Sequence, residues 1–403
     1  MNRIPGPKRR YPGEFFLKFT RNPLTFLEEL ARRAPLNGIR LGTHQIVVLS
    51  QPDLIQQVLV RDASNYIKGR ALEVSRRLLG QGLLTSENPL HRQQRQLLQP
   101  IFQPRNLESF RGIFEDQSRR LVRRWPAHGT ISAAAEMTRL TLEIISQSLF
   151  GQEVDVDEVR GAMEEALQTF RLLSLPFYEW AEGYFPILGR RPQRVRQRLD
   201  RILEGILQGS LLEEVEMTSE QLRDEAMTLF LAGHETTAHA LTFALYLLSR
   251  HPEEQPRCAQ DEAYLRAVLL ETLRLYPTAW IIGRRSLGSS QLGGYEVPAG
   301  TTVLMSPYAM HRHPDYFSQP DEFLPERWLA RPRQTLPKGV FFPFGAGPRV
   351  CIGEHFAWQE MQIGLRIILQ NFRLGPCPVL QPRLRTGITL APGQNLPIPV
   401  SAA

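Results

Sequence analysis

Near residues 34–62 the chain reads APLNGIRLGTHQIVVLSQPDLIQQVLV, where short β-branched runs give way to apolar positions spaced three to four apart. That change of period predicts two strands followed by a helix. From about 90 to 275 helical periodicity dominates. The C-terminal part is rich in Pro and Gly, with strand-like pieces GTTVLMSP and ITLAP between turns. The reading is mainly α with a minor β component. One helix has marked ends: Thr218 and Gln221 stand at capping-box spacing, and SRHPEE closes it ahead of Pro252. Continuous, it spans about thirty residues, roughly 45 Å. A helix that long and apolar crosses the core, so its polar island from 233 to 237 needs a reason to be buried. No internal repeat, low-complexity linker or composition shift interrupts the 403 residues, so one domain, 1–403, is expected.

The same apolar helix, AMTLFLAGHETTAHALTFALYLL, is not read as a membrane span, because lipid penalises His234, Glu235, Thr236 and Thr237 at its centre. The N-terminus, MNRIPGPKRRYPGEFF, has charges and no apolar run. It predicts an extension over 1–20 with neither secretory signal nor membrane anchor. Three cysteines, Cys258, Cys351 and Cys377, form no CxxC pair. This argues against a disulfide framework and a cysteine zinc site, and fits the cytoplasm. The net charge is +7, but no basic block is interleaved with aromatics, so nucleic acid is not an expected partner and a bias toward acidic proteins is. Of 48 basic residues only four are lysine, leaving 44 arginines. Genome composition or a hot habitat with a thermostable protein accounts equally for that bias.

Two motifs are decoys. HETTAH resembles a zinc-protease signature but carries one residue too many: His234 and His239 at i,i+5 lie about 140° apart around a helix. GAGPRV begins like a dinucleotide fingerprint, yet Val350 replaces its third glycine. Three further pieces are ambiguous singly. ETLRLYP sets Glu271 and Arg274 at i,i+3, usually an exposed pair. FLPERW places Arg327 in a Pro-flanked turn. HRQQR puts His91 and Arg95 one helical turn apart, ordinarily a wet basic face.

Taken together, their order and spacing point elsewhere. Phe344, Gly345, Gly347, Arg349, Cys351 and Gly353, in FPFGAGPRVCIG, reproduce FxxGxRxCxG. The stretch resembles the heme-ligand signature of the cytochrome P450 family. AGHETT resembles that family's oxygen-activation motif, ETLR its ExxR, FLPERW its PERF-like segment, and His91 to Arg95 its WxxxR with His in place of Trp.

The resemblance implies a cytochrome P450 fold carrying heme b (iron protoporphyrin IX), with Cys351 as the axial iron ligand. A thiolate there favours O–O cleavage. Phe344, Gly345, Gly347 and Gly353 would frame it, with backbone close to the porphyrin and N–H groups toward sulfur. His91, Arg95, Arg349 and Arg284 would meet the propionates, Arg284 being preferred over Arg285 because strand neighbours face opposite ways. Glu271, Arg274 and Arg327 would be a structural ion-pair triad. Oxygen requires two protons before cleavage, which gives Glu235 and Thr236 the catalytic acid–alcohol roles beside Ala232 and Gly233.

The activity implied is oxygen-dependent monooxygenation of a lipophilic substrate. Leu83, Leu84, Ala232, Trp280, Ile281 and Ile282 would line its pocket. GLLT, LYPTAWIIGRR and SPYAMHR resemble a thermophilic carotenoid-hydroxylating branch, so carotenoid hydroxylation is expected first and fatty-acid hydroxylation second. Electrons would come from an external ferredoxin or flavodoxin with its reductase, and a monomer is expected. The competing readings are a peroxide-driven peroxygenase, an electron-independent isomerase or dehydratase, and a non-catalytic heme sensor.

Overall fold

The structure is a computed structural model that describes residues 4–41, 44–173, 182 and 187–403. The chain divides into two compact units, residues 1–70 with 266–351 and residues 71–265 with 352–403.

The first unit is built on a five-stranded sheet in the order Leu36–Leu41, His44–Leu49, Thr302–Met305, Ile282–Ser286, Tyr66–Lys68. The first two strands pair antiparallel, with Leu36 opposite Leu49, and the run QIVVL then pairs parallel with Thr302–Met305. Both predicted strands and the helix after them are present. That helix, Pro52–Gln56, continues as a wide turn, Gln57–Arg61, and packs Ile55, Val58 and Leu59 into a core with Val47, Leu49, Val303 and Met305. Such β-branched runs with both faces covered suit an inner strand. The expected N-terminal extension is docked from its fifth residue: Gly38 N–H donates to Pro5 O, and Glu14–Arg21 is a helix.

The pair read as exposed when taken singly is the most deeply buried ionic group of this unit. Glu271 and Arg274 lie on helix Glu262–Leu275 and are fully buried. Arg274 grips the Glu271 carboxylate bidentately, at 2.8 and 2.9 Å. Arg327 Nε, Leu324 N–H and Trp328 Nε1 complete five donors to the same carboxylate, at 3.1, 3.0 and 2.8 Å. The remaining guanidinium donors go to backbone. Arg274 holds the carbonyls of His311, Pro320 and Glu322. Arg327 holds those of Ser318 and Gln319, the latter at φ 46° in the left-handed region. FLPERW, read as a turn, therefore contains a short helix, Glu326–Ala330, tied down at its arginine.

The second unit is helical around Ser219–Arg250, a helix of 32 residues. Its capping box is made as the sequence predicts: Gln221 N–H donates to Thr218 Oγ1 at 3.2 Å and Thr218 N–H to Gln221 Oε1 at 3.0 Å. Helices Ala133–Ile145, Ile187–Leu207 and Glu354–Asn371 pack on it. Phe114 and Phe356 meet edge to face at 4.8 Å between Pro104–Arg124 and Glu354–Asn371. A three-stranded sheet, His128–Ser132, Pro397–Ala402 and Phe372–Leu374, and a hairpin, Leu384–Thr386 with Leu390–Pro392, supply the minor β component. None of the described helices is long and apolar enough to cross a membrane.

Glu360, on Glu354–Asn371, is fully buried, and among the described residues neither of its oxygens makes a hydrogen bond within bonding distance. Burial pushes its carboxyl well above the usual range, opposed only by the neighbouring hydroxyl of Thr237.

These buried carboxyls set two expectations. Glu271→Ala leaves Arg274 buried and uncompensated at a cost of about 3–5 kcal/mol; the purified variant is expected to melt lower and to hold no stable heme, and a normal heme content would refute this. Glu360 has its folded pKa raised, so it costs stability above its unfolded value near 4.3. Glu360→Gln should therefore melt higher than the wild type at pH 8, with the gap closing toward pH 4. Thermal melts at the two pH values check the sign.

Candidate active site

The predicted site residues fall into two groups, one in each unit. In the first unit the turn before Cys351 is folded by its glycines. Gly345 and Gly347 have φ 76° and 74°, and a Cβ on Gly347 would lie 1.9 Å from Leu59 O. Gly347 is thus required by the close approach of the Gln57–Arg61 turn. Gly345 N–H donates to Phe342 O and Cys351 N–H to Phe344 O at 2.9 Å, so those two N–H groups are committed within the loop. The Cys351 side chain stands exposed at the loop's exit. Phe344 and Arg349 are half-buried, whereas Arg284 is buried and donates to Gly283 O at 3.0 Å; Gly353, half-buried, belongs to the second unit. Arg285, its strand neighbour, is half-buried.

The loop begins from a histidine that the motifs did not single out. Phe342 N–H donates to His311 Nε2 at 3.0 Å, which leaves Nδ1 to carry the proton toward Leu273 O at 3.3 Å. Burial keeps this imidazole neutral, its pKa well below the ordinary value, with Arg274, Arg312 and Arg333 pushing the same way. His311 therefore joins the helix of the ion-pair triad to the segment that opens the cysteine loop.

In the second unit His91 and Arg95 lie on helix Leu90–Leu98. His91 is buried and Arg95 half-buried, so this is no wet basic face. The segment before them is pinned to the central helix: Gln81 N–H donates to Asp224 Oδ2 at 2.7 Å and Leu83 N–H to Glu225 Oε2 at 2.9 Å. A Cβ on Gly80 or Gly82 would collide with Asp224 or Thr228, which explains the GQG spelling. Leu83 is buried and Leu84 half-buried. In the first unit Trp280 is buried, while Ile281 and Ile282 are half-buried.

Within the central helix the polar island is satisfied locally. His234 Nδ1 meets Phe230 O at 2.7 Å, Thr236 Oγ1 donates to Ala232 O at 2.8 Å and Thr237 Oγ1 to Gly233 O at 3.3 Å. A Cβ on Gly233 would meet Ile145 Cδ1 at 2.9 Å, so the glycine lets helix Ala133–Ile145 approach. Ala232, Gly233, Glu235 and Thr236 are half-exposed in a helix otherwise buried on either side of them. Burial holds His234 neutral, with its pKa pushed down to about 4. Among the described residues no three His, Cys, Asp or Glu side chains are grouped to hold a metal ion.

Glu235 has partners that no motif announced. Thr389, in the hairpin turn, donates to Glu235 Oε1 at 2.9 Å. The carboxyl forms part of the wall of an open cavity of about 290 Å³, lined also by Glu164, Gln168, Arg385, Ile388 and Thr389. Burial raises its pKa, opposed by the Thr389 hydroxyl and the Arg385 charge. Thr389 lies 154 residues away in sequence, and only folding could disclose it.

The residues present fit heme b on their own chemistry. One exposed thiol leaves a turn that only glycine can form, a buried arginine and a half-buried arginine in the same unit can pair with carboxylates, and a half-exposed polar stretch interrupts a buried helix.

Comparison with known proteins agrees. The Cytochrome P450 family matches residues 5–209 and 193–394. Cyclooctatin synthase of Streptomyces melanosporofaciens is 31% identical over 434 residues, covering 95% of this chain and 93% of the relative. Cyclooctat-9-en-7-ol 5-monooxygenase of the same organism is 30% identical over 401 residues, covering 89% and 86%. A six-coordinated cytochrome P450 from Thermus thermophilus superposes with a TM-score of 0.82 at 32% identity, covering 94% of this chain and 98% of that one. The chain belongs to the cytochrome P450 family, and it is a heme b monooxygenase.

Proposed function

We propose that this monooxygenase, acting as one heme domain over residues 1–403, uses O2 and two externally supplied electrons to oxidise a lipophilic substrate. Heme b ligated by a cysteine thiolate supplies the oxygen chemistry, placing one atom in a C–H bond or across a double bond and the other in water. Cys351 is the ligand. Arg284, Arg349, His91 and Arg95 hold the propionates, and Phe344, Gly345, Gly347 and Gly353 shape the ligand turn.

The observation that carries the oxygen-dependent reading is the pairing of Glu235 with Thr236 on the half-exposed stretch of the central helix. Glu235 has its pKa raised and borders a cavity, so it can take up and release a proton. The Thr236 hydroxyl is oriented by its bond to Ala232 O, which leaves its lone pairs to accept. Passive heme binding requires neither group.

The substrate is lipophilic. Leu83, Leu84, Trp280, Ile281 and Ile282 are apolar and supply its contacts with Ala232. Ring hydroxylation of a carotenoid is the first assignment and fatty-acid hydroxylation the second. Electrons arrive from a small acidic ferredoxin or flavodoxin with its reductase, which the net charge of +7 suits.

Two measurements test this. The dithionite-reduced, carbon monoxide-bound protein is expected to show the strongly red-shifted Soret band of thiolate ligation, lost in Cys351→Ser; an imidazole-like spectrum in the wild type would overturn the ligand. Thr236→Ala is expected to divert reduced cofactor from product to peroxide, a loss of order 10²-fold in productive turnover at the low end of general acid catalysis. Unchanged coupling removes Thr236 from the mechanism.

A further inference from the structure

One residue of HETTAH has no part in the pair just assigned. His239 lies one helical turn after Glu235, on the same face of the central helix. Its Nδ1 is 3.4 Å from Thr389 Oγ1, the hydroxyl that also lies 2.9 Å from Glu235 Oε1. A hydroxyl has one proton to give, and an ionised carboxylate can only accept. Thr389 therefore donates to Glu235, and the contact on its other side is met by an N–H on His239 Nδ1. His239 is neutral, its pKa pushed down to about 3 by burial and further by Arg385 and His234. It carries a single ring proton, and a proton on Nδ1 is the tautomer that matches Thr389 donating to Glu235.

We propose that His239 and Thr389 are positioning residues for Glu235. They form a directed chain, Nδ1–H to Oγ1–H to Oε1, that holds the carboxyl against the open cavity while it reloads with a proton. The inference rests on Glu235 being the acid of the reaction. With the imidazole N–H in place, the Thr389 hydroxyl cannot turn its proton toward the ring, so Oε1 keeps a full hydrogen bond. At the mouth of the cavity Glu164 and Gln168, from helix Val156–Leu173, and Arg385, from the hairpin, are exposed to solvent. Per proton delivered, the Glu235 carboxylate takes one proton from water in the cavity and gives one up. His239 and Thr389 exchange none. The charged and titratable groups facing the chain are Arg385, Glu164 and His234.

The test uses ferric holoenzyme and two readouts. The first is the infrared band of the Glu235 carboxyl group followed through a pH titration and identified by its loss in Glu235→Gln. The second is peroxide released per NADPH consumed in air, with a surrogate ferredoxin and ferredoxin reductase. In Thr389→Val and His239→Leu the carboxyl midpoint is expected to move up, because the donor that favours the carboxylate is lost or misdirected. The peroxide ratio is expected to rise about two- to tenfold, the factor one hydrogen bond sets. Thr389→Ser, which keeps the hydroxyl, and His239→Asn, whose amide N–H can replace Nδ1–H, are expected to stay at wild-type values. These two variants guard against a trivial folding defect. A wild-type peroxide ratio in both Thr389→Val and His239→Leu overturns the proposal. Glu235→Gln separates the two levels: if it alone raises the ratio, only the positioning chain is refuted, and if it does not, the acid assignment itself falls.

Discussion

Burying the carboxylate of Glu271 constrains the first unit more than any other interaction. A carboxylate without partners in a core is prohibitively costly. Here five donors converge on it, two of them from the fork of Arg274. Each arginine then carries further N–H groups that must also be met, and they are met by carbonyls at 311, 318, 319, 320 and 322. A stretch with little regular structure thus takes its shape from two guanidinium forks. Lysine could not replace either, since its donors fan from one point. His311 passes this geometry on: its carbonyl is held by Arg274 and its ring receives the N–H of Phe342, where the turn leading to Cys351 begins.

The central helix solves a different problem, that of polar side chains inside an apolar rod. His234, Thr236, Thr237 and Thr242 all bond back to the carbonyl four residues earlier. Serine and threonine commonly do so in helices, at a small cost in local straightness. Because the helix satisfies them itself, they need no partner from neighbouring elements. Glu235 and His239 instead meet the hairpin at Thr389.

What could be read from the sequence depended on whether the signal was local. The capping box at Thr218 and Gln221 and the strands at 36–49 are set by neighbours in the chain, and the structure has both. The i,i+3 pair at 271 and 274 was legible as a pair but not as buried, since burial depends on Leu324, Arg327 and Trp328 arriving from some fifty residues on. Gly233 and Gly347 were legible as necessary, yet for reasons only packing supplies: one faces Ile145 and the other Leu59 O. The i,i+5 spacing of the two histidines in HETTAH conceals that Glu235 and His239, at i,i+4, share a partner.

Three glutamates of one chemical type are given three different tasks by what surrounds them. Glu271 is met by five donors, four of them side-chain N–H groups, and the backbone is arranged around it. Among the described residues Glu360 has no partner within hydrogen-bonding distance, and burial raises its pKa. Glu235 lies between these limits, with one neutral hydroxyl on Oε1, a guanidinium beside it and a cavity in front. One donor is too few to fix the anion and too many to ignore, which is the condition under which a carboxyl can exchange a proton repeatedly. The number of donors supplied to each carboxyl, more than its position in a motif, decides which of the three can do chemistry.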